Sequence, residues 1–442
     1  MDSDGTATQI QIRDALTNRD VPVKVFGWIH RILRHDNEGM VVLLRDGTGF
    51  LKCVFSDQLY RMYSGVAREA SVCIYGKISA IPEDNAAPDG LELSVDFLEV
   101  IGTSPQGGVD EIVSKCTSTE DQLDHRHLML RQEEMSKTMR LRSFVIQCFR
   151  AHYVDRGYIE VTPPTLVPSA KFEVAEELFS VNFFDGNVNL TQSSQLYLET
   201  VIPFLGDVFC VAPSYRVEHK QTRRHLSEFT HIEAECPFIS FDDLVYRLED
   251  AVCDVIERIM KSPYRKIVQD LHPNFKPPER PFKKMSYGDA IEFLQNNGIK
   301  KDDGTFCRFG EDISESLERS LIGIVNKPLL LCRFPTKIKP FYMQPCSDDS
   351  SLTESVDLLL PNVGEIAGGS MRVWKHDDIM EGFRREGTDP TNYYWYTDQR
   401  KFGSCPHGGY GIGFERFLCW LLNRYNIREV VLYPRFVGRS SP

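Results

Sequence analysis

The stretch densest in chemical groups runs from Ser214 to Glu235. Arg216 closes an apolar run, Val208 to Val211 with Tyr215, and a polar loop follows that crowds His219, Lys220, Arg223, Arg224 and His225 together. The chain then returns through an alternating run, with Phe229, His231 and Glu233 on one side and Thr230 and Ile232 on the other. Two such runs around a long loop predict a β-hairpin. The basic loop suits a polyanion such as a triphosphate. The carboxylates of the returning run, Glu228, Glu233 and Glu235, suit an ammonium group, an amide or a metal. A solvated hairpin whose charges pair with one another would give the same pattern.

Two more stretches decide between these readings. One is Asn362-Val-Gly-Glu-Ile-Ala-Gly-Gly-Ser-Met-Arg372, and the other is Gly408-Gly-Tyr-Gly-Ile-Gly-Phe-Glu-Arg416. A lone Gly-x-Gly is more often a turn than a phosphate site, but here Glu415 and Arg416 follow it at a predicted helix start. Together the three stretches resemble motif 2, the strand before motif 3, and motif 3 of the class II aminoacyl-tRNA synthetases. Within that family they are most similar to the asparaginyl enzymes of the aspartate-like subclass, eukaryotic cytoplasmic type.

The resemblance implies an ATP-dependent ligase that joins L-asparagine to AMP and passes it to the 3′ end of tRNA(Asn), with Mg²⁺. Little proton transfer is needed; two anions must be brought together and the phosphoryl charge neutralised, so positioning and cations dominate. By the family's pattern Arg216 holds the α-phosphate, which a guanidinium fork fits bidentately. Glu218 takes the adenine amino group and Phe229 stacks on the ring. His225 and Arg416 hold the outer phosphates, and Glu365 ligates Mg²⁺, a hard ion that prefers carboxylate. Arg224, Leu226, Gly411 and Gly413 complete the implied ATP site, and Arg216, Glu365 and Arg416 are the implied catalytic set. Glu173 meets the substrate α-amino group, Gln195 lines the amino-acid site, Glu233 accepts the amide NH₂, and Arg372 donates to the side-chain oxygen. Aspartyl enzymes carry Lys where Leu198 stands; without that cation a substrate carboxylate has no partner, and Glu233 repels it.

These residues need a frame. Apolar residues recur at helical spacing from Arg131 to Arg156, with Gly157 placed as a C′ residue. Tyr158 to Leu166 then reads as strand followed by proline. This helix–strand–Pro164 unit resembles motif 1, which implies a homodimer. Ser240-Phe-Asp-Asp243 has the form of a capping box, and Leu244, Leu248, Val252, Val255 and Ile259 mark one helix face. Residues 262–326 read as a mixed insertion without chemistry, and Phe414 to Leu422 as an apolar helix.

Upstream, residues 1 to 20 are polar and uninformative. Five short strands follow, around Val21–Ile29, Met40–Arg45, Phe50–Phe55, Ser71–Ala80 and Leu91–Ile101, with hairpin chemistry at Asp46-Gly-Thr-Gly49. They fit a small, partly open barrel of the oligonucleotide-binding kind, where the resembling family has its anticodon-binding domain. The fold expected is therefore α+β. A barrel spans 1–102, a hinge 103–130, and a class II catalytic domain, an antiparallel sheet flanked by helices, spans 131–442. His125 and His127 lie in the hinge, where solvated histidines are the commoner case.

The sequence departs from the family at three places. The anticodon-reading positions hold Val41 for an aromatic and Lys52 for a glutamine, while Glu92 matches; stacking is worth about 1–3 kcal/mol per base, and Val41 supplies none. Where the family has a glycine pair in a closing loop after Glu173, this chain has Val174 and Ala175, and valine resists backbone conformations open to glycine. Eukaryotic members often carry an extra N-terminal extension, here absent or trimmed.

The bulk numbers set limits. At 442 residues the chain can build two or three domains. No apolar run approaches the roughly 20 residues of a membrane span, and there is no signal-peptide pattern. The twelve cysteines are scattered inside apolar runs without a Cys-x-x-Cys pair, which argues for reduced core thiols, against zinc, and for the cytosol. A net charge of −12 is a poor footprint for general nucleic-acid binding, so tRNA would be held by local basic patches. Two rivals stay open: a paralogue that makes the adenylate but uses another acceptor, and a non-catalytic scaffold.

Overall fold

The computed structural model describes residues 7–35, 39–81, 90–168 and 177–442. The chain divides into two compact units, Met1–Met129 and Leu130–Pro442.

The first unit is a β-barrel built from β1 (Thr8–Ile10), β2 (Pro22–His35), β3 (Gly39–Arg45), β4 (Phe50–Phe55), β5 (Ser71–Ala80) and β6 (Leu91–Gly102). The order is β1-β2-β3-β4-β6-β5, and an additional β2–β5 pairing closes the five long strands on themselves. The barrel is closed, where the sequence reading expected it partly open. Seven consecutive register pairs, Pro22↔Lys77 to Trp28↔Ser71, make the seam. Period-2 alternation sends Leu51, Cys53 and Phe55 inward and Phe50, Lys52 and Val54 outward. Asp46 builds the turn: its Oδ1 accepts from Thr48 N at 2.7 Å and Gly49 N at 3.2 Å, while Gly47 takes φ +91°. Residues read as uninformative also contribute. β1 pairs in parallel with β2, and Ile12 and Ala15 from the 3₁₀ turn Ile12–Asn18 enter the barrel core. Three short helices, Gly108–Val113, Thr119–Asp124 and Arg126–Met129, occupy the stretch read as a hinge.

The second unit is organised by one eight-stranded sheet. Its strands are β7 (Ile159–Glu160), β11 (Val208–Tyr215), β12 (Glu228–Pro237), β13 (Lys283–Ser286), β14 (Leu329–Cys332), β15 (Ser355–Leu360), β16 (Gly364–Met371) and β17 (His407–Gly413). A smaller sheet holds β8 (Leu166–Pro168), β9 (Ser180–Phe183) and β10 (Gly186–Leu190). The large sheet runs β13-β14-β15-β16-β17-β12-β11-β7, antiparallel throughout except for its two parallel edge pairs. The predicted hairpin is β11–β12, in register from Val208↔Glu235 to Tyr215↔Glu228.

Alternation gives the sheet two different faces. Ile232, Ala234, Tyr410 and Ile412 join the main core with residues of the helices Glu133–Asp155, Phe241–Lys261 and Phe414–Leu422. Ser240 and Asp243 form the expected capping box of the second helix, and Gly157, at φ +82°, follows the first. The intervening residues of β12, β16 and β17 point the other way, into a cleft. The insertion is structured: it adds β13 to the sheet edge and forms a second core around Tyr287, Leu294, Leu317 and Leu321. Among the described residues no helix is long and apolar enough to cross a membrane.

Candidate active site

A cavity of about 680 Å³ lies over the sheet face that the helices leave open, a size that suits a small-molecule ligand. Its floor is set by β12, where Phe229, His231, Glu233 and Glu235 recur every second residue and so share a face. The neighbouring strand β17 gives them room by placing Gly409, Gly411 and Gly413 opposite them. A methyl on Gly409 would lie 2.0 Å from Glu235 Oε2, and one on Gly411 would lie 2.3 Å from His231 Nε2. The glycine pattern of β17 thus lets large polar side chains of β12 lie across the strand.

One end of the cleft is cationic. Arg216, Arg224, His225 and Arg416 line it together with Glu218, Leu226, Phe229, Gly411 and Gly413, so the structure brings the whole predicted ATP set to one cavity. The Arg216 guanidinium lies 5.4 Å from the centre of the Phe229 ring, and its buried Nε has no hydrogen-bond partner among the described residues. A buried donor left unmatched is costly, and an anion in the cleft would match it. Arg416 is held in place, donating from Nη1 to the backbone oxygen and Oε2 of Glu365, both at 3.0 Å. Burial, with Arg416 and Arg224 close by, pushes the His225 imidazole down to about 3. His225 is therefore neutral at physiological pH and serves as a hydrogen-bonding group, with Nδ1 2.6 Å from Thr222 Oγ1.

Beside the cations stands an acidic pair. Burial alone would raise the Glu365 carboxyl, yet Arg416, Arg224, Lys339 and Arg216 hold it at about 2. Asp357 on β15, opposite Gly368 of β16, goes the other way: burial and Glu365 push it up to about 6 against the pull of Lys339, whose Nζ is 2.8 Å away. An atom on Gly368 would be 3.3 Å from Asp357 Oδ1 and 3.5 Å from Glu365 Oε1. Both carboxylates therefore converge on one point. Asp357 and Lys339 were not foreseen. The readable signal for Asp357 was a single acid inside the apolar run Ser355–Leu360; Lys339 had none.

The other end of the cleft is a buried polar network. Arg372 donates from Nε and Nη2 to Glu235 at 3.1 and 2.9 Å and from Nη1 to Ser370 Oγ at 2.7 Å. Glu199 accepts from Gln195 Nε2 at 3.0 Å and from Arg400 Nη2, and contacts His407 Nε2 at 3.1 Å. Glu233 accepts from Ser193 Oγ and from Ser194 N at 2.8 Å. Leu198 is 1% exposed and packs with Ile202, Val208 and Cys210, so no cation enters from its position. The carboxylate paired with Arg372 is thus Glu235, while Glu233 is held mainly by the Ser193–Ser194 segment. Glu235 is one of the carboxylates the returning run offers in sequence, but its pairing with Arg372 has no local signal. Glu199, Glu235 and His407 bring ligand atoms within 4.8 Å of one another, but Arg372 and Arg400 already supply the positive charge a metal would bring.

Glu173, Val174 and Ala175 lie outside the described residues. On the barrel, Lys52 Nζ is ion-paired with Glu92 Oε2 at 3.0 Å on neighbouring strands, and Val41 lies opposite Val54 on the same outward face. All twelve cysteines are free.

A closed nucleic-acid-type barrel, joined in sequence to an antiparallel sheet with an arginine-lined, acid-flanked cleft, defines a class of enzyme. Residues 118–437 match the family of class II tRNA synthetases (D, K and N), and residues 23–101 match the OB-fold nucleic acid binding domain. The chain belongs to the class II tRNA synthetases.

Among its relatives are cytoplasmic asparagine–tRNA ligases. The Homo sapiens protein is 58% identical over 422 residues, covering 95% of this chain and 77% of that protein. The Bos taurus protein is 57% identical over 435 residues, covering 98% and 78%. The solved structure of Entamoeba histolytica asparaginyl-tRNA synthetase in complex with asparaginyl-adenylate superposes with a TM-score of 0.92 at 42% identity, covering 99% of this chain and all of that one.

Proposed function

We infer that this chain is an ATP-dependent asparagine–tRNA ligase of the cytoplasm. The observation that carries the specificity is the Arg372–Glu235 pair at the closed end of the cleft, beside an apolar Leu198. A carboxamide offers one acceptor and two donors. Arg372 donates to its oxygen, and the remaining lone pairs of Glu235, with Glu233 alongside, accept from its NH₂. A substrate carboxylate would set an anion against Glu235 with no free cation to meet it.

Activation then needs the substrate carboxylate beside the α-phosphorus. A carboxylate oxygen forms the new P–O bond, the bond to the bridging oxygen breaks, and pyrophosphate leaves. Arg216 with its unmatched Nε neutralises the α-phosphate, Arg224, His225 and Arg416 take the outer phosphates, Glu218 meets the adenine amino group, and Phe229 carries the ring. Stabilising charge that develops on a phosphoryl group in a preorganised site is the main source of rate. Transfer follows when the tRNA 3′-hydroxyl attacks the activated carbonyl and AMP leaves. The convergence of Glu365 and Asp357 fits Mg²⁺, a hard ion that takes oxygen ligands; when bound it neutralises triphosphate charge. The Entamoeba relative's complex with asparaginyl-adenylate supports the same activated intermediate here. The active species is proposed to be a homodimer formed through the region of Pro164.

Asparagine-dependent ATP–pyrophosphate exchange tests the first step. Exchange with asparagine, none with aspartate, and loss on Arg216→Ala are the results expected; exchange independent of asparagine would refute it. Sedimentation at micromolar concentration tests the dimer, and a monomer that remains fully active would contradict it.

A further inference from the structure

The insertion looked chemically silent in sequence, yet its helix Glu315–Val325 reaches the basic loop. Glu318 Oε2 accepts from Arg224 Nη1 at 2.6 Å. One turn earlier Glu315 lies 3.6 Å from Arg223 Nε and 3.7 Å from Arg224 Nε. The backbone makes space for this contact. Gly364 sits at φ +90°, and a Cβ there would stand 2.9 Å from Arg224 Nη1 and 3.3 Å from Glu318 Oε2. A side chain at 364 would displace the pair. Hydrogen-bonded to Glu318 through Nη1 and with Glu315 at ion-pair distance from Nε, Arg224 still lines the cleft, and its Nε has no hydrogen-bond partner among the described residues.

We propose that Glu318 is a positioning residue for nucleotide binding: it fixes Arg224 so that the rest of the guanidinium meets the outer phosphates of ATP. This rests on the reading that Arg224 contacts the triphosphate. The physical reason is conformational. Arg224 lies between β11 and β12 in a loop without regular secondary structure, and a long side chain there would otherwise sample many rotamers. A carboxylate on a packed helix removes that freedom before the ligand arrives, which is how preorganisation gains affinity. The anchor is firm because Leu317 and Leu321 of the same helix are buried in the insertion's own core.

The test is ATP–pyrophosphate exchange on Glu318→Ala, Glu318→Gln, Arg224→Ala and the Glu318→Ala/Arg224→Ala double variant, with melting temperatures recorded for each. We expect Glu318→Ala to raise KM for ATP about tenfold, with kcat and KM for asparagine within about twofold of wild type. Glu318→Gln keeps an acceptor oxygen and recovers most of the loss. The double variant matches Arg224→Ala alone, because residues acting through one another are not additive. An unchanged KM for ATP in Glu318→Ala, an equal rise in KM for asparagine, or a double variant worse than Arg224→Ala would overturn the proposal. Should Glu318→Ala fail to fold, calorimetric ATP binding by Glu318→Met, which keeps the side-chain volume and removes the acceptor, decides, with wild-type affinity overturning it. An Arg224→Ala variant with normal KM for ATP would instead refute the contact on which the proposal rests.

Discussion

Replacing Glu235 by glutamine tests the specificity argument at its most exposed point. Glu235 is 1% exposed and accepts two hydrogen bonds from Arg372. Glutamine keeps one acceptor oxygen but turns the other atom into a donor that faces the guanidinium. At least one charge-assisted hydrogen bond is lost, worth about 1.5–3 kcal/mol, so kcat/KM for asparagine should fall about 10- to 150-fold. Aspartate responds in the opposite sense. In the wild type its side-chain carboxylate would meet the Glu235 charge; two unit charges about 4 Å apart repel by about 4 kcal/mol at an effective dielectric of about 20. Glu235→Gln removes that repulsion and leaves Arg372 facing one neutral amide oxygen, Ser370 Oγ and the more distant Glu199 at 4.0 Å, so that a substrate carboxylate can compete for its guanidinium. Discrimination against aspartate should therefore relax by up to about 10³-fold. Pyrophosphate exchange with each amino acid at saturating ATP reads both numbers. Unchanged asparagine kinetics together with intact exclusion of aspartate would refute the role given to Glu235 and return the amide contact to Glu233.

Other consequences are independent of this one. Glu415→Ala should destabilise the fold by about 3–5 kcal/mol, because Glu415 is 2% exposed and meets Arg142 Nη2 at 2.7 Å and Thr230 N at 3.0 Å; urea unfolding measures it. Gly411→Ala should abolish exchange and cost about 1–3 kcal/mol of stability, since the new methyl would lie 2.3 Å from His231 Nε2. His225, held at about 3 against 6.5 in the unfolded chain, makes the unfolded state bind the extra proton, so its contribution to stability is full above pH 6.5 and is lost as pH falls toward 3. From pH 6.5 to 5 this amounts to about 2 kcal/mol, and His225→Gln should flatten that slope in thermal melts of the ligand-free protein. Val41→Phe should tighten tRNA binding by about 1 kcal/mol or more if bases pass over the Lys52–Glu92 face; filter binding at fixed salt gives the answer.

How much of this could be read from sequence depends on whether a role is local. The β11–β12 hairpin, its arginines and the helix behind Gly413 were legible because alternation, loop charge and helical spacing are short-range signals. The pairing of Arg372 with Glu235, 137 residues apart, was not, although the odd-numbered spacing on β12 named the face. Barrel closure escaped because β2–β5 register is set by strand twist and length, not by composition. β1 escaped because Ile10, Ile12 and Ala15 are too few apolar residues to announce a strand. Glu318 was invisible for a different reason: an acid on an amphipathic helix reads as solvated surface, and only the packing of the insertion carries it to Arg224. Lys52 was noticed as a departure, but its partner Glu92 becomes apparent only once β4 and β6 are neighbours.

The central claim is that this cleft charges tRNA with asparagine, and the most direct measurement is attachment of labelled asparagine to total cytosolic tRNA, with aspartate in parallel. The account predicts acid-precipitable asparagine, none with aspartate, and no product from Arg216→Ala or Arg416→Ala. Asparagine-dependent pyrophosphate exchange without any charging would contradict it, and would show an adenylate-forming enzyme whose acceptor is a molecule other than tRNA.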